Sequence, residues 1–387
     1  MKKIITTNRI PIKLWLEDID HLALAQAENI ANLPFACQHI AIMPDSHVGY
    51  GMPIGAVLCA KDVIIPNAVG VDIGCGMCAV RTSLREISPD ALKEVMGMIR
   101  KAVPLGFDHH KTPQDKELMP DLVERTMPIV VQQYNKALHQ IGTLGGGNHF
   151  IEIQQGDDGH VWIMIHSGSR NLGHTVANHY NKVAERLNEA WHVQVPREWQ
   201  LAFLPIITRE AKEYMAEMSF CIEFALANRT LMMERVQEAL ADVVGQVEYG
   251  EMVNKSHNFA AWEYHGTQDV LVHRKGATRV RKDEQGLIPG SQGTASYIVR
   301  GLGNAESFDS CSHGAGRRMG RKQAIRELDF DTEKARLDAL GVIHAIRGRN
   351  DLEEAPGAYK DIDQVMENQC DLVEIVVKLR PLAVVKG

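Results

Sequence analysis

The chain has 387 residues, 45% hydrophobic and 24% charged, enough apolar content for one large domain or two medium ones. Its formal net charge of −7 repels polyanions and argues against nonspecific nucleic-acid binding, so any such contact must rest on local patches. No long apolar run spans it, and MKKIITTNRI lacks the apolar stretch and cleavage site of a secretory signal, so a cytoplasmic protein is expected.

Seven cysteines, an odd and scattered set, predict no disulfide framework, and a cysteine with a chemical role should act as a thiolate. In chain order, Asp18 to Leu33 predicts a helix stopped by Pro34, and His39 to His47 a buried strand that leaves Asp45 and His47 on the following loop. Ile54 to Val80 is glycine-punctuated and strand-like. Within it GVDIGCGM sets Asp72 three residues before Cys75, a carboxylate and a thiolate that a bent loop could bring to one metal. Cys78 reads as a packed core thiol, because CxxC here has neither a helix start nor a second pair.

Helices are predicted over Ile87 to Val103, Asp121 to Leu138, Thr175 to Asn188 and Thr208 to Val244, the last with a methionine stripe that belongs to the core. Val253 to Tyr264 presents His257 and Asn258, and a strand from Asp269 to His273 leads into a basic turn. Two basic clusters, His273 to Lys282 and Gly316 to Lys322, read as solvated surface. Gly286 to Ser296 is a glycine- and serine-rich loop whose backbone donors could cradle a phosphate or a base edge. In SCSHGAGR, His313 lies between small residues before a helix expected near Arg318, where a ligand has room. Further helices are expected around Thr332 to Leu340 and Ile362 to Asn368, then Val373 to Leu379 and a closing PLAVVKG.

The chain is organised around Gly142 to His174. A triple glycine precedes Asn148, His149 and Glu152, and an apolar strand, Val161 to Ile165, delivers His166, so two imidazoles sit at two edges of one unit. Consecutive glycines suggest a sharp bend or a close approach by something such as a phosphate, although a hairpin with an ordinary glycine turn reads equally well. Candidate residues run from Asp45 to His313, so one domain over 1–387 is expected, with α+β architecture of mixed sheets and flanking helices. Asp72, Cys75, His149, His166 and His257 form a mixed ligand set too large for one tetrahedral ion, and a thiolate bridging two ions would explain the excess. Manganese and zinc both suit these donors.

The segments MPDSHVG, GVDIGCGM, GTLGGGNHFIE, HSGSR, SHNFA, RKGAT, IPGSQGTASYIVRGLGN, SCSHGAGR, AYKDID and the terminal VKG, in this order, resemble the RtcB family of GTP- and manganese-dependent RNA ligases. The resemblance implies one manganese on Asp72, Cys75 and His149 and a second on Cys75, His166 and His257. It implies His313 as the nucleophile that takes guanylate from GTP. The guanylate site it implies comprises Asn148, His149, Phe150, Ile151, Glu152, His257, Asn258, Pro289, Gly290, Ser291, Gln292, Ser296, His313, Gly314, Ala315, Gly316 and Lys386, with Tyr359 facing the base. Such a ligase would join a 3′-phosphate or 2′,3′-cyclic phosphate RNA end to a 5′-hydroxyl. Its partners would be broken RNA ends, from tRNA or rRNA, and GTP, the chain acting as a monomer.

Asp45 is a further catalytic candidate, orienting groups with His47, and Arg170, Lys275 and Arg317 would hold RNA phosphates. The chain is shorter than expected of the family, abbreviated between Leu105 and Asp121. Two rivals remain: a metal-dependent phosphohydrolase that opens cyclic phosphates without joining ends, and a noncatalytic RNA-binding module.

Overall fold

A computed structural model describes residues 1–387. Its six-stranded sheet runs in the order Lys3–Ile5, Ile12–Leu14, Ala36–His47, Ile54–Ala60, Gln268–Lys275 and Asn258–His265. Only Ile12–Leu14 and Ala36–His47 pair in parallel. A seven-stranded antiparallel sheet runs Val253–Ser256, Gly76–Arg81, Val161–Ser167, Phe150–Gly156, Val373–Lys386, Ser296–Gly301 and Gln285–Ile288. Each sheet joins local pairs through strands distant in sequence, Ile54–Ala60 with Gln268–Lys275 in one and Phe150–Gly156 with Val373–Lys386 in the other, so neither sheet is complete without most of the chain. The result is a single α+β domain of mixed sheets and helices, as predicted. No helix is long and apolar enough to cross a membrane.

Alternation along FIEIQQG decides what each face does. Ile151 and Ile153 join Ile163 and Ile165 in a core against the helices Pro89–Ala102 and Arg209–Val244. Phe150 and Glu152 turn to the other face, where Phe150 pairs with His166 across the hairpin. His149 and His166 therefore meet at one end of the unit rather than at two edges. The 36-residue helix Arg209–Val244, capped by Thr208 on Ala211 N–H, runs through both helical cores, with Tyr214, Phe220 and Phe224 in one and Met232, Met233 and Val236 in the other. Its methionines are core, as expected.

Several boundaries differ from expectation for local reasons. The strand Ala36–His47 continues through Pro44 and Asp45, because its pairing is irregular between Ile42 and His47 and the proline's missing N–H breaks no ladder bond. Val373–Lys386 likewise runs through Pro381 at a register shift. The helix Arg170–Ala190 starts earlier than predicted, and Pro66–Val69 forms a helical turn inside the strand-like stretch. Pro128–Leu138 starts later than Asp121. It has no side-chain cap of its own, and Glu217 from the long helix accepts from Ile129 and Val130 N–H instead.

Two expectations about polar residues are corrected. Cys37 and Cys59 form a disulfide between paired neighbouring strands; their facing positions follow from strand register, which spacing did not reveal. The first half of the first basic cluster is interior while Arg281 and Lys282 are solvated as expected: His273 and Arg274 are fully buried, and Arg274 makes a bidentate pair with Glu263 at 2.6 and 2.9 Å.

Candidate metal and nucleotide site

At the end of the 150–167 hairpin the side chains of His149 and His166 converge on Cys75, which precedes the strand Gly76–Arg81. Cys75 Sγ lies 3.5 Å from His149 Nε2 and 3.3 Å from His166 Nε2, and Asp72 Oδ2 lies 3.2 Å from His149 Nε2. The other ring nitrogens face backbone carbonyls, His149 Nδ1 at 3.1 Å from Leu144 O and His166 Nδ1 at 3.2 Å from Asn148 O. That arrangement fixes ring orientation and presents Nε2 of both rings to the cluster. His257 follows, its ring centroid 5.2 Å from that of His166, and its buried Nδ1 has no partner.

These donors fit a metal. Bonds of about 2.3 Å to sulfur and about 2.1 Å to nitrogen at a tetrahedral angle would separate the two donors by about 3.6 Å. The separations here are 3.3 and 3.5 Å, and an orphaned imidazole nitrogen stands beside them. Burial, with neighbouring imidazoles, holds His166 and His257 well below the usual range, so both rings are neutral at pH 7 and able to ligate. Burial opposes ionisation of Asp72, but its hydrogen bond to His149 and nearby charge bring its carboxyl to about 2. Burial and Asp72 push the Cys75 thiol well above its ordinary value; a bound cation reverses that effect by stabilising the thiolate.

What holds the cluster together is a pair of buried polar residues on the long helix that the sequence did not single out. Arg229 donates to Gly74 O at 3.0 Å, Ser167 O at 2.9 Å, Asn254 Oδ1 and Ser256 Oγ. Asn228 accepts from Gly142 and Thr143 N–H and donates to Thr143 O and Gly168 O. The segments carrying Cys75, His166 and His257 are thus tied to one helix. An arginine within a methionine-rich helical run gives no hint of this in sequence.

His313 stands at the other side of His257, with ring centroids 4.8 Å apart. Asp45, fully buried, lies 2.6 Å from His313 Nδ1 and accepts from the backbone N–H of His313 and Gly314. Burial alone would raise the Asp45 carboxyl, but His313 beside it brings it below its ordinary value. A carboxylate this close to Nδ1 favours the tautomer with its proton on that nitrogen, which leaves the free lone pair on Nε2.

His313 opens into a cleft of about 1060 Å³ lined also by Asn148, Phe150, Glu152, Pro289–Gln292, Gly314–Gly316, Tyr359 and Lys386. Glu354, missed in the sequence because LEEAPG looks like an ordinary acidic turn, pairs there with Lys386 at 2.9 Å, Arg317 at 3.2 Å and Tyr359 Oη at 2.5 Å. Burial raises the Glu152 carboxyl to about 7, with Gln154 and Lys386 pulling the other way.

Other expected residues lie behind the cleft. Ile151 is in the apolar core, Ser296 Oγ accepts from Gly290 N–H, and Asn258 is bonded to Asp72 O and Gly276 N. Gln292, on the cleft wall, is held by bonds to Glu354 O and Ala345 N. The group approaching the triple glycine is arginine: a Cβ on Gly145 would meet the Arg170 guanidinium, and one on Gly147 that of Arg321, and both glycines have positive φ. Lys275 is buried with Nζ on Tyr50 O and Asn67 O, which corrects its expected grip on RNA phosphate. Arg170 contacts Thr143 and His149 beside the cluster, and Arg317 reaches the cleft, held by Glu354. Cys78 is a core thiol as predicted, raised to about 12 by burial.

A family model described as tRNA-splicing ligase RtcB matches residues 26–135 and 122–387. The RNA-splicing ligase RtcB of Escherichia coli K12 is 39% identical over 409 residues, covering 100% of this chain and 99% of that protein. The tRNA-splicing ligase RtcB of Thermococcus kodakarensis is 34% identical over 460 residues, with 98% and 95% covered. The RNA-splicing ligase RtcB of Mycobacterium tuberculosis is 33% identical over 436 residues, with 94% and 100% covered. Both of the first two alignments run over more positions than the 387 residues of this chain, so those relatives carry residues that it lacks. On family match and full-length identity together, the chain belongs to the RtcB family.

Proposed function

We propose that residues 1–387 form one catalytic domain, an RNA ligase of the cytoplasm that joins 3′-phosphate or 2′,3′-cyclic phosphate ends to 5′-hydroxyl ends. The names of its relatives support RNA ligation. One observation carries the chemistry: a histidine whose Nδ1 is held 2.6 Å from a buried carboxylate, at the edge of an imidazole and thiolate cluster, facing a large cleft. In this reading His313 Nε2 attacks the α-phosphorus of GTP, forming an N–P bond as pyrophosphate leaves. Asp45 keeps the proton on Nδ1 and balances the positive charge the ring acquires.

An RNA 3′-phosphate oxygen then attacks the guanylyl phosphorus and expels His313. The 5′-hydroxyl of the second RNA attacks the activated 3′-phosphorus and releases GMP. A cyclic phosphate end is first opened by water, whose oxygen bonds to phosphorus as the P–O2′ bond breaks and O2′ takes up a proton, giving the 3′-phosphate and a 2′-hydroxyl. The guanylate would lie against Asn148, Phe150, Glu152, Pro289 to Gln292, Gly314 to Gly316, Tyr359 and Lys386, with Ile151, Asn258 and Ser296 supporting from behind. Asp72, Cys75 and His149 would hold one manganese and Cys75, His166 and His257 another, supplying positive charge to offset that of the phosphates.

Incubation with α-labelled GTP and manganese, then denaturing electrophoresis, tests the reading. Label should stay on the protein and vanish in His313→Ala. No label would leave the phosphohydrolase reading instead, and label retained by His313→Ala would remove His313 as the nucleophile and with it the ligase reading.

A further inference from the structure

The cleft is larger than one guanylate requires, and its lining changes character around His313. Pockets of about 300–1,000 Å³ hold whole drug-sized ligands, and this one reaches about 1060 Å³. One part gathers the cations Arg317, Arg321 and Lys386 around Glu354. The other part is apolar: Leu22, Val48, Tyr50 and Val71 all line the cleft and are all at least 40% exposed, Tyr50 reaching 66%. The acids Asp18 and Asp20 lie among them.

This apolar part is rigid. The Gln26 side chain bonds both Gly49 N–H and Gly49 O, Lys275 Nζ donates to Tyr50 O at 2.5 Å, and Met52 N–H donates to the same carbonyl at 2.8 Å. Lys275 also reaches Asn67 O, tying the Tyr50 loop to the segment that leads to Val71. The backbone is pinned while the aromatic ring stands open and its hydroxyl makes no bond. An exposed aromatic ring on a pinned backbone at a reaction cleft presents a flat apolar surface, and only its side-chain torsions remain to be ordered when a ligand arrives.

We propose that Tyr50, flanked by Leu22, Val48 and Val71, is a stacking platform for the terminal nucleobase of the RNA strand that brings its 3′-phosphate to His313. This rests on the RNA-ligase reading and adds a subsite to it. Every base has a π face, so the platform accepts any sequence. Asp18 and Asp20 turn phosphates away from this part, and the arginines around Glu354 draw them to the other, so base and phosphate sort to different parts of one cleft.

The test is equilibrium binding, by fluorescence anisotropy and without GTP, of a short single-stranded RNA ending in a 3′-phosphate. Its terminal nucleotide is normal or abasic, and the proteins are the full chain, Tyr50→Ala and Tyr50→Trp. The ring makes none of the loop's hydrogen bonds, so both variants keep the fold. Tyr50→Ala should weaken binding about tenfold, Tyr50→Trp should not, and an abasic end should cost the full chain the same factor while costing Tyr50→Ala nothing more. Unchanged affinity in Tyr50→Ala, or penalties that multiply, would overturn the platform while leaving ligation standing. A full chain that binds no RNA would overturn the ligase reading and the platform together.

Discussion

The imidazole cluster and the cleft share a boundary at His313, but their polar groups are held in opposite ways. In the cluster they rest on backbone: His149 on Leu144 O, His166 on Asn148 O, and the ligand-bearing segments on Arg229 and Asn228. In the cleft the charged groups also rest on each other, with Glu354 shared among Lys386, Arg317 and Tyr359, while Arg317 reaches Met319 O and Glu353 O as well. Carbonyls in secondary structure stay where they are when a ligand arrives. A shared carboxylate can yield a partner to an incoming phosphate or base. The first region is built to be filled without rearrangement, the second to exchange partners.

The boundary itself is where a single change should do most. Asp45→Asn places an amide against His313 Nδ1 and favours the wrong tautomer, so the rate of guanylylation should fall roughly a thousandfold or more. Metal content, measured by elemental analysis, should not change, because Asp45 touches no ligand of the cluster. A simultaneous loss of metal would mean that the two regions are one.

Two buried arginines sharpen the comparison. Arg274 sits in a bidentate pair with Glu263, which also meets Arg279 and His265, so Arg274→Met removes the main partner of a buried carboxylate and should cost about 1–3 kcal/mol in chemical denaturation. Arg229 has carbonyl, amide and hydroxyl acceptors, so Arg229→Met should act on the cluster, weakening metal affinity about 10- to 100-fold in chelator competition. Equal effects of both variants on metal affinity would erase the distinction.

Glu152 makes the cleft's cost visible as pH dependence. Its carboxyl is raised from 4.5 to about 7, so the unfolded chain releases this proton near 4.5 while the folded chain keeps it until about 7. The folded state is therefore penalised increasingly between those values and fully above them. Glu152→Gln should stabilise the protein by about 1–3 kcal/mol at pH 8 and not at pH 4, read from urea midpoints. A smaller effect, about 1–2 kcal/mol of destabilisation, is expected for Glu217→Ala, which uncaps Pro128–Leu138 far from either region. It should leave metal affinity alone.

The cluster was legible in the sequence because its chemistry is carried by unusual residue types at element ends, where cysteine, histidine and glycine stand out. The α+β class was legible from mixed helix and strand periodicities. What escaped were residues whose role comes from tertiary neighbours. Glu354 and Arg229 look ordinary in their own segments, Lys275 looked like surface, and Cys37 and Cys59 meet only through strand register. The triple glycine left a close approach and an ordinary hairpin turn equally open; the approach is made by Arg170 and Arg321, from segments no local pattern connects to it.

Anomalous diffraction from manganese-soaked crystals tests the central claim most directly. Two cations bridged by Cys75 Sγ, one also bound by Asp72 and His149 and the other by His166 and His257, are predicted. A single cation, or cations away from Cys75, would contradict it.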